Sequence, residues 1–318
     1  MTDPEYYKKY GRLTDPGKYS GLLQSLPDSP EELAAIGRTQ TVHFRMLSQW
    51  HMPKKSWKTL EASRRFEDML KALQDSPTGI LSLDRPLEER LLGACINESI
   101  FFAGLLKSRG ILARIRVGYF TGLYQGKKAW EFRKNVMLYE RNTSRLAALT
   151  VGYLSFRQAK RIDRTIEHWI CEHWDNQTSS WRLIDFRGEY VEAYGFPNWL
   201  YLPREHFEYA WEAWLKRSET GFNPERYSEP PLDGLSHVRQ QLLFDFYSLL
   251  GHEVSHSQQD IKHKTYAELD PEELSELDAL ARILRGNASI SDLIRLYKDS
   301  RTLKYENVSD DQYCFLNI

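Results

Sequence analysis

The chain has 318 residues, 41% of them hydrophobic, with 43 Lys or Arg against 44 Asp or Glu. That length supplies one large domain or two smaller ones with a real core, and the balanced charge, with a pI near 6.8, excludes a global field that would draw in nucleic acid or an anionic membrane, leaving only local patches. No apolar run approaches the roughly 20 residues of a membrane span and the opening residues lack a signal-peptide pattern, so a cytoplasmic protein is expected, and three cysteines at 95, 171 and 314 fit free thiols in a reducing compartment rather than a disulfide framework.

Prolines at 4, 16, 27, 30 and 53 make residues 1–56 read as an irregular wrapping arm. It holds one short helix, announced by Ser29 as cap, Pro30 in the first turn and Glu32 three residues on. Leu60, Phe66, Met69, Leu70 and Leu73 recur at helical spacing and predict a helix from about Trp57 to Leu73. The stretch from Cys95 to Ser108 is apolar on most sides, with Ile96, Ile100, Phe101, Phe102, Leu105 and Leu106, and Gly110 is placed to end it; this is a central helix. After Gly110 the period changes to two: Ile111, Ala113, Ile115, Val117 and Tyr119 alternate with Arg114 and Arg116, as in a half-buried strand. Residues 166–174 and 181–186 read as two further strands joined by the polar loop Asp175–Ser180.

If Trp174 lies opposite Trp181 in that hairpin, Ile170 lies opposite Asp185, and His168 becomes its diagonal neighbour on the same face. Diagonal neighbours stand about 7–8 Å apart between backbones, within side-chain reach. From about Gly188 onward helices dominate: Phe207, Trp211, Trp214 and Leu215 mark one, Val238–Leu250 another, the cap, proline and capping-box glutamate of Asp270, Pro271 and Glu273 a third, and Ser289–Tyr297 a last one. Residues 57–190 thus form the core and 191–318 a mostly helical extension packed on it.

The chemistry resides in that core. A thiol at a helix N-terminus faces unpaired backbone N–H groups and the positive end of the dipole, which favour thiolate over thiol. His168 supplies an imidazole that completes a thiolate–imidazolium pair and later protonates a leaving amine, and Asp185 holds its tautomer. The N–H of Cys95 points where an oxyanion forms; Gln49, Trp50 and Trp57 are candidates for the second donor. Cys171, on the strand phase opposite His168, reads as structural, Cys314 as incidental, and the nine tryptophans as packing residues.

The string Gly93, Ala94, Cys95 and Ser99, a Leu-rich helix, Arg109-Gly110-Ile111, Ala113-Arg114, Val117-Gly118-Tyr119, then His168 with Glu172 and Trp181 with Asp185, resembles the core of the transglutaminase-like superfamily over residues 85–190. The flanking arms resemble those of bacterial stand-alone members. The resemblance implies an α+β fold of the papain-like kind, in which a helix bearing the cysteine packs on an antiparallel sheet, with Cys95 as nucleophile, His168 as base and Asp185 as third member, and no cofactor. Glu98 stands where many members carry Asp, and Ile170 where many carry an aromatic residue. The segment between Tyr119 and His168 is longer than in compact members and suits a lid.

The expected function is therefore cysteine-dependent hydrolysis or acyl transfer at an amide of a peptide or protein, through a thioester on Cys95. A catalytically silent binding module of the same fold is the alternative. A second alternative comes from His252-Glu253-Val254-Ser255-His256, which fits the spacing of a zinc peptidase helix: two histidines one turn apart as ligands, Glu253 as base, and Glu268, Glu272 or Glu276 as a third ligand. Gly251 and the polar residues after it favour a solvated helix end instead.

Overall fold

Ser29 opens the first long helix by the expected means: its hydroxyl accepts the Glu32 N–H at 3.3 Å and Pro30 occupies the first turn. In a computed structural model that describes residues 3–49, 65–78, 81, 85–140, 145–229, 231–253, 264–286 and 288–304, a short α1 (Asp3–Tyr6) precedes this α2 (Pro30–Gln40) and the strand β1 (Thr41–His43). The helix expected from Trp57 appears as α3 (Phe66–Gln74), with Phe66, Met69, Leu70 and Leu73 buried; residues 50–64 lie outside the described part. Strand β2 (Leu91–Gly93) pairs with β1 in parallel and leads directly into α4 (Cys95–Ser108).

Gly110 ends α4 as its sequence position predicts, with φ at 72°, a left-handed conformation that costs a residue without Cβ little. Strand β3 (Ala113–Phe120) follows, then a helical hairpin of α5 (Ala129–Glu140) and α6 (Arg145–Arg161), then β4 (Ile166–Asp175) and β5 (Ser180–Ile184). After α7 (Gly188–Ala193) comes β6 (Phe207–Tyr209), which runs into α8 (Ala210–Lys216). Phe207 was expected to be helical; it instead pairs with Phe120 across β3 and β6, because its ring is buried in the sheet's second core. Helices α9 (Gly234–Leu249), α10 (Pro271–Arg285) and α11 (Ile290–Asp299) follow among the described residues. Asp270 and Glu273 form the expected capping box on α10, and Ser289 caps α11.

The four main strands form one curled antiparallel sheet in the order β5-β4-β3-β6, so the fold is α+β. Hairpin register is the one the tryptophans imply, with Trp174 opposite Trp181 and Cys171 opposite Ile184. Strand β5 therefore stops short, and the stretch of β4 from Ile166 to Ile170 pairs with β3 alone. One apolar cluster takes in Tyr6, Tyr7, Leu13, Ile100, Phe101, Trp169, Trp214, Leu242, Leu280 and Leu303, which join the arm, the core and the C-terminal helices in shared packing. A second cluster, with Phe120, Phe132, Val136, Ile166, Ile170, Tyr190 and Tyr194, lies under the α5–α6 hairpin. Among the described residues no helix is long and apolar enough to cross a membrane.

The open edge of β3 is closed by a charge rather than a strand. Asp245 of α9 is fully buried, accepts the Val117 N–H at 2.8 Å and grips Arg116 through Nε at 2.9 Å and Nη2 at 2.8 Å. Arg116 and Arg114 also reach Glu172 on β4. Burial alone raises a carboxyl pKa, yet the two guanidiniums and the Tyr209 hydroxyl outweigh it and bring Glu172 down to about 2.

Candidate active site

Cys95 is the first residue of α4, preceded by Ala94, whose side chain carries no acceptor to cap the helix. Asn97 turns back instead and accepts the Ala94 N–H at 3.0 Å. The positive end of the α4 dipole, uncapped by the Ala94 side chain, thus lies beside a half-buried thiol, the arrangement that attracts negative charge.

His168 and Asp185 meet where β5 has stopped. Past Ile184 the chain leaves the ladder, Asp185 donating its N–H to Leu200 O at 2.8 Å, and its carboxylate turns to the bare edge of β4. There Oδ2 lies 2.8 Å from His168 Nε2, while Oδ1 accepts the Arg187 N–H at 2.9 Å. With Nε2 occupied, Nδ1 is the ring nitrogen left to face Cys95, which lines the same small void as His168 and Asp185. Burial disfavours a charged ring here, but Asp185 and Cys95 override it and push the His168 pKa up to about 10. Asp185 is held below its ordinary value: burial works against the anion, and His168 and the Arg187 N–H more than compensate. Phe120 and Phe207 flank the ring edge-on. The void lined by Cys95, His168 and Asp185 measures only about 10 Å³, scarcely one water.

Three residues near this cluster escaped sequence reasoning or acquired a new role. Arg187, 2% exposed, donates to Thr41 O at 3.0 Å and to Thr41 Oγ1 at 2.5 Å while its backbone holds Asp185. Its Nε stands 3.1 Å from Glu98 Oε1 but is misaligned for a hydrogen bond. Glu98, one turn along α4 from Cys95, is accordingly not held as a firm anion: burial, with Asp185 nearby, outweighs Arg187 and raises its pKa to about 7. His43 pairs with Gly93, two residues before Cys95, and its Nδ1 accepts the Arg45 N–H at 3.2 Å. Burial, then the charges of Arg45, Arg187 and His168, keep it far below its ordinary pKa, so its ring is neutral with the proton on Nε2. An Asp-x-Arg pattern at 185–187 was the available signal for Arg187; nothing local marks His43.

Cys171 is buried and its thiol donates to Ser99 O at 3.2 Å; burial raises its pKa far above that of a free thiol, in keeping with a packing role. Gln49 shares no hydrogen bond with Cys95, His168 or Asp185 among the described residues. Trp50, Trp57 and Cys314 lie outside them.

Of the segment read as a solvated helix end, the described residues His252 and Glu253 are neither helical nor solvated. Helix α9 stops at Leu249, and His252 and Glu253 are 4% and 2% exposed. The cause is the arm: Glu253 Oε2 accepts the Leu13 N–H at 3.0 Å, and Arg12 donates to Glu253 O at 2.8 Å. Gly11 makes room for the carboxylate at this crossing: a Cβ there would meet Glu253 Oε1 at 2.1 Å and displace it. Burial lowers His252 to about 3. Glu253, weighed as a zinc-site base, is thus engaged in fixing the arm, and the helix that would carry both histidines ends before the first; His256 lies outside the described residues. Glu268, Glu272 and Glu276 are occupied by Thr265, Arg301 and the Ser300–Thr302 turn respectively.

Set against known proteins, the chain matches no family model, no curated protein and no solved structure.

Proposed function

We propose that this chain is a cysteine-dependent hydrolase or acyltransferase acting at amides, built on a transglutaminase-like, papain-like core. One observation carries the reading: residues from a helix start, a mid-strand and a strand end, far apart in sequence, meet as Cys95, His168 and Asp185, with the His168 Nε2 to Asp185 Oδ2 distance at 2.8 Å. In the first step the sulfur attacks the amide carbonyl, the C–S bond forms, the C–N bond breaks, and His168 passes its proton to the leaving amine. Water or a second amine then attacks the thioester, His168 takes its proton, the C–S bond breaks, and the thiolate–imidazolium pair is restored. The Cys95 N–H supplies one oxyanion donor, and neutral His43, whose strand pairs with the one leading to Cys95, is our candidate for the second.

The test is selective labelling. Iodoacetamide at neutral pH alkylates Cys95 well before Cys171 in the folded protein, peptide mapping shows which, and a library of glutamine and asparagine peptides leaves an acyl adduct on Cys95 that the Cys95→Ser variant lacks. Labelling of Cys95 no faster than Cys171, together with no adduct, refutes the reading and leaves a silent module.

A further inference from the structure

The near-zero charge of the whole chain conceals a segregation. Between Thr121 and Thr165 the sequence carries ten lysines and arginines against three acidic residues, an excess of seven, in a chain whose total is −1. This segment is the α5–α6 hairpin, and α6 contains no acidic residue in its 17 positions. Helix α5 is anchored: Phe132 and Val136 are buried, with Phe132 against Tyr190 and Tyr194. Helix α6 turns Gly152 and Ala159 inward and leaves Val151, Tyr153 and Leu154 exposed at 51%, 43% and 64%.

Three- and four-residue steps place Val151, Leu154, Arg157 and Arg161 along one outward face. Lys134 pairs with Glu131 and Arg164 with Glu229, whereas Arg157, Lys160 and Arg161 are exposed without an acidic partner among the described residues. Beside them a wide depression of about 850 Å³ is bordered by Trp130, Tyr153 and Phe156. Trp130 meets Tyr153 edge-on at 5.2 Å and Phe156 at a tilt at 5.3 Å between ring centroids.

We propose that the outward face of the α5–α6 hairpin docks on an anionic membrane surface. Free cations alone suit any polyanion, but apolar side chains standing among them gain nothing from a nucleic acid and are stabilised at the headgroup–acyl boundary, where Trp and Tyr also settle. Each Lys or Arg brought near an anionic leaflet adds about fivefold to the affinity. This inference is independent of the chemistry proposed for Cys95.

Co-sedimentation of the full chain with phosphatidylcholine vesicles, with and without 30% phosphatidylserine (a chosen composition of roughly physiological charge), tests it. Binding is expected only to the anionic vesicles and weakens with added salt. Arg157→Gln with Arg161→Gln lowers it about thirty-fold, and Leu154→Asp lowers it at least about tenfold through lost apolar burial. All three positions are exposed, and unchanged circular dichroism keeps the comparison to folded protein. Absence of binding to anionic vesicles overturns the proposal, as does binding indifferent to Leu154→Asp. Equal affinity for a duplex DNA fragment, with Leu154→Asp immaterial to both, assigns the face to polyanions in general and overturns it as well.

Discussion

Asp185→Asn removes the charge that holds the His168 proton while keeping the shape of the side chain. In the native protein burial works against the charged ring, and Asp185, helped by Cys95, reverses this to place the pKa at about 10 instead of 6.5. At about 1.4 kcal/mol per pH unit that difference is on the order of 4–5 kcal/mol of interaction favouring the protonated ring. The amide of the variant can still occupy the 2.8 Å hydrogen bond, but burial then acts nearly alone and the ring deprotonates below 6.5. An NMR titration of the His168 ring is expected to show a cation through pH 8 in the native protein and a neutral imidazole at pH 7.5 in Asp185→Asn. Stability follows by linkage. Because the native pKa is raised, the contribution of His168 is full below pH 6.5 and is lost as pH climbs toward 10, so urea midpoints fall across that window. In Asp185→Asn the sign inverts, and the ring costs stability only as pH drops below 6.5. A native His168 that titrates near 6.5, or a variant ring still charged at pH 8, refutes the account of this pair.

Two further expectations bear on the surroundings. Asp245→Asn leaves Arg116 buried without its bidentate anion, and chemical denaturation should register a loss of about 3–5 kcal/mol; a loss under about 1 kcal/mol would show that the β3 edge is held by other means. Glu98, with a pKa raised to about 7, contributes stability that is full below pH 4.5 and is lost as pH rises through 7. Glu98→Gln should therefore gain on the native protein by a few kcal/mol between pH 4.5 and 7.5, measured as a difference in urea midpoints, and a pH-independent difference would contradict the assignment.

What the sequence made legible was local. Ser29 with Pro30 and Asp270 with Glu273 are capping grammar readable within four residues, the alternation after Gly110 is the pleat itself, and the facing tryptophans 174 and 181 set a register that brings His168 toward Asp185. What stayed hidden depends on partners distant in sequence. His43 matters only because β1 lies beside the approach to Cys95, Arg187 because its guanidinium spans to Thr41 and Glu98, and Phe207 becomes a strand residue because Phe120 awaits it. Glu253 shows the same lesson in reverse. Its neighbours look like surface, and only the arm, arriving from residues 11–14, makes it interior.

That crossing sets a schedule for synthesis. The Leu13 N–H and the Glu253 carboxylate that receives it are 240 residues apart. A ribosome adding roughly 5–20 residues per second separates their emergence by something like 12 to 50 seconds. For that interval the arm, with Tyr6, Tyr7 and Leu13 all destined for burial, can rest only on partners translated earlier, such as Phe66 and Ala113, which bond the Leu13 and Tyr7 carbonyls. The arm is a belt whose buckle is translated 240 residues after it.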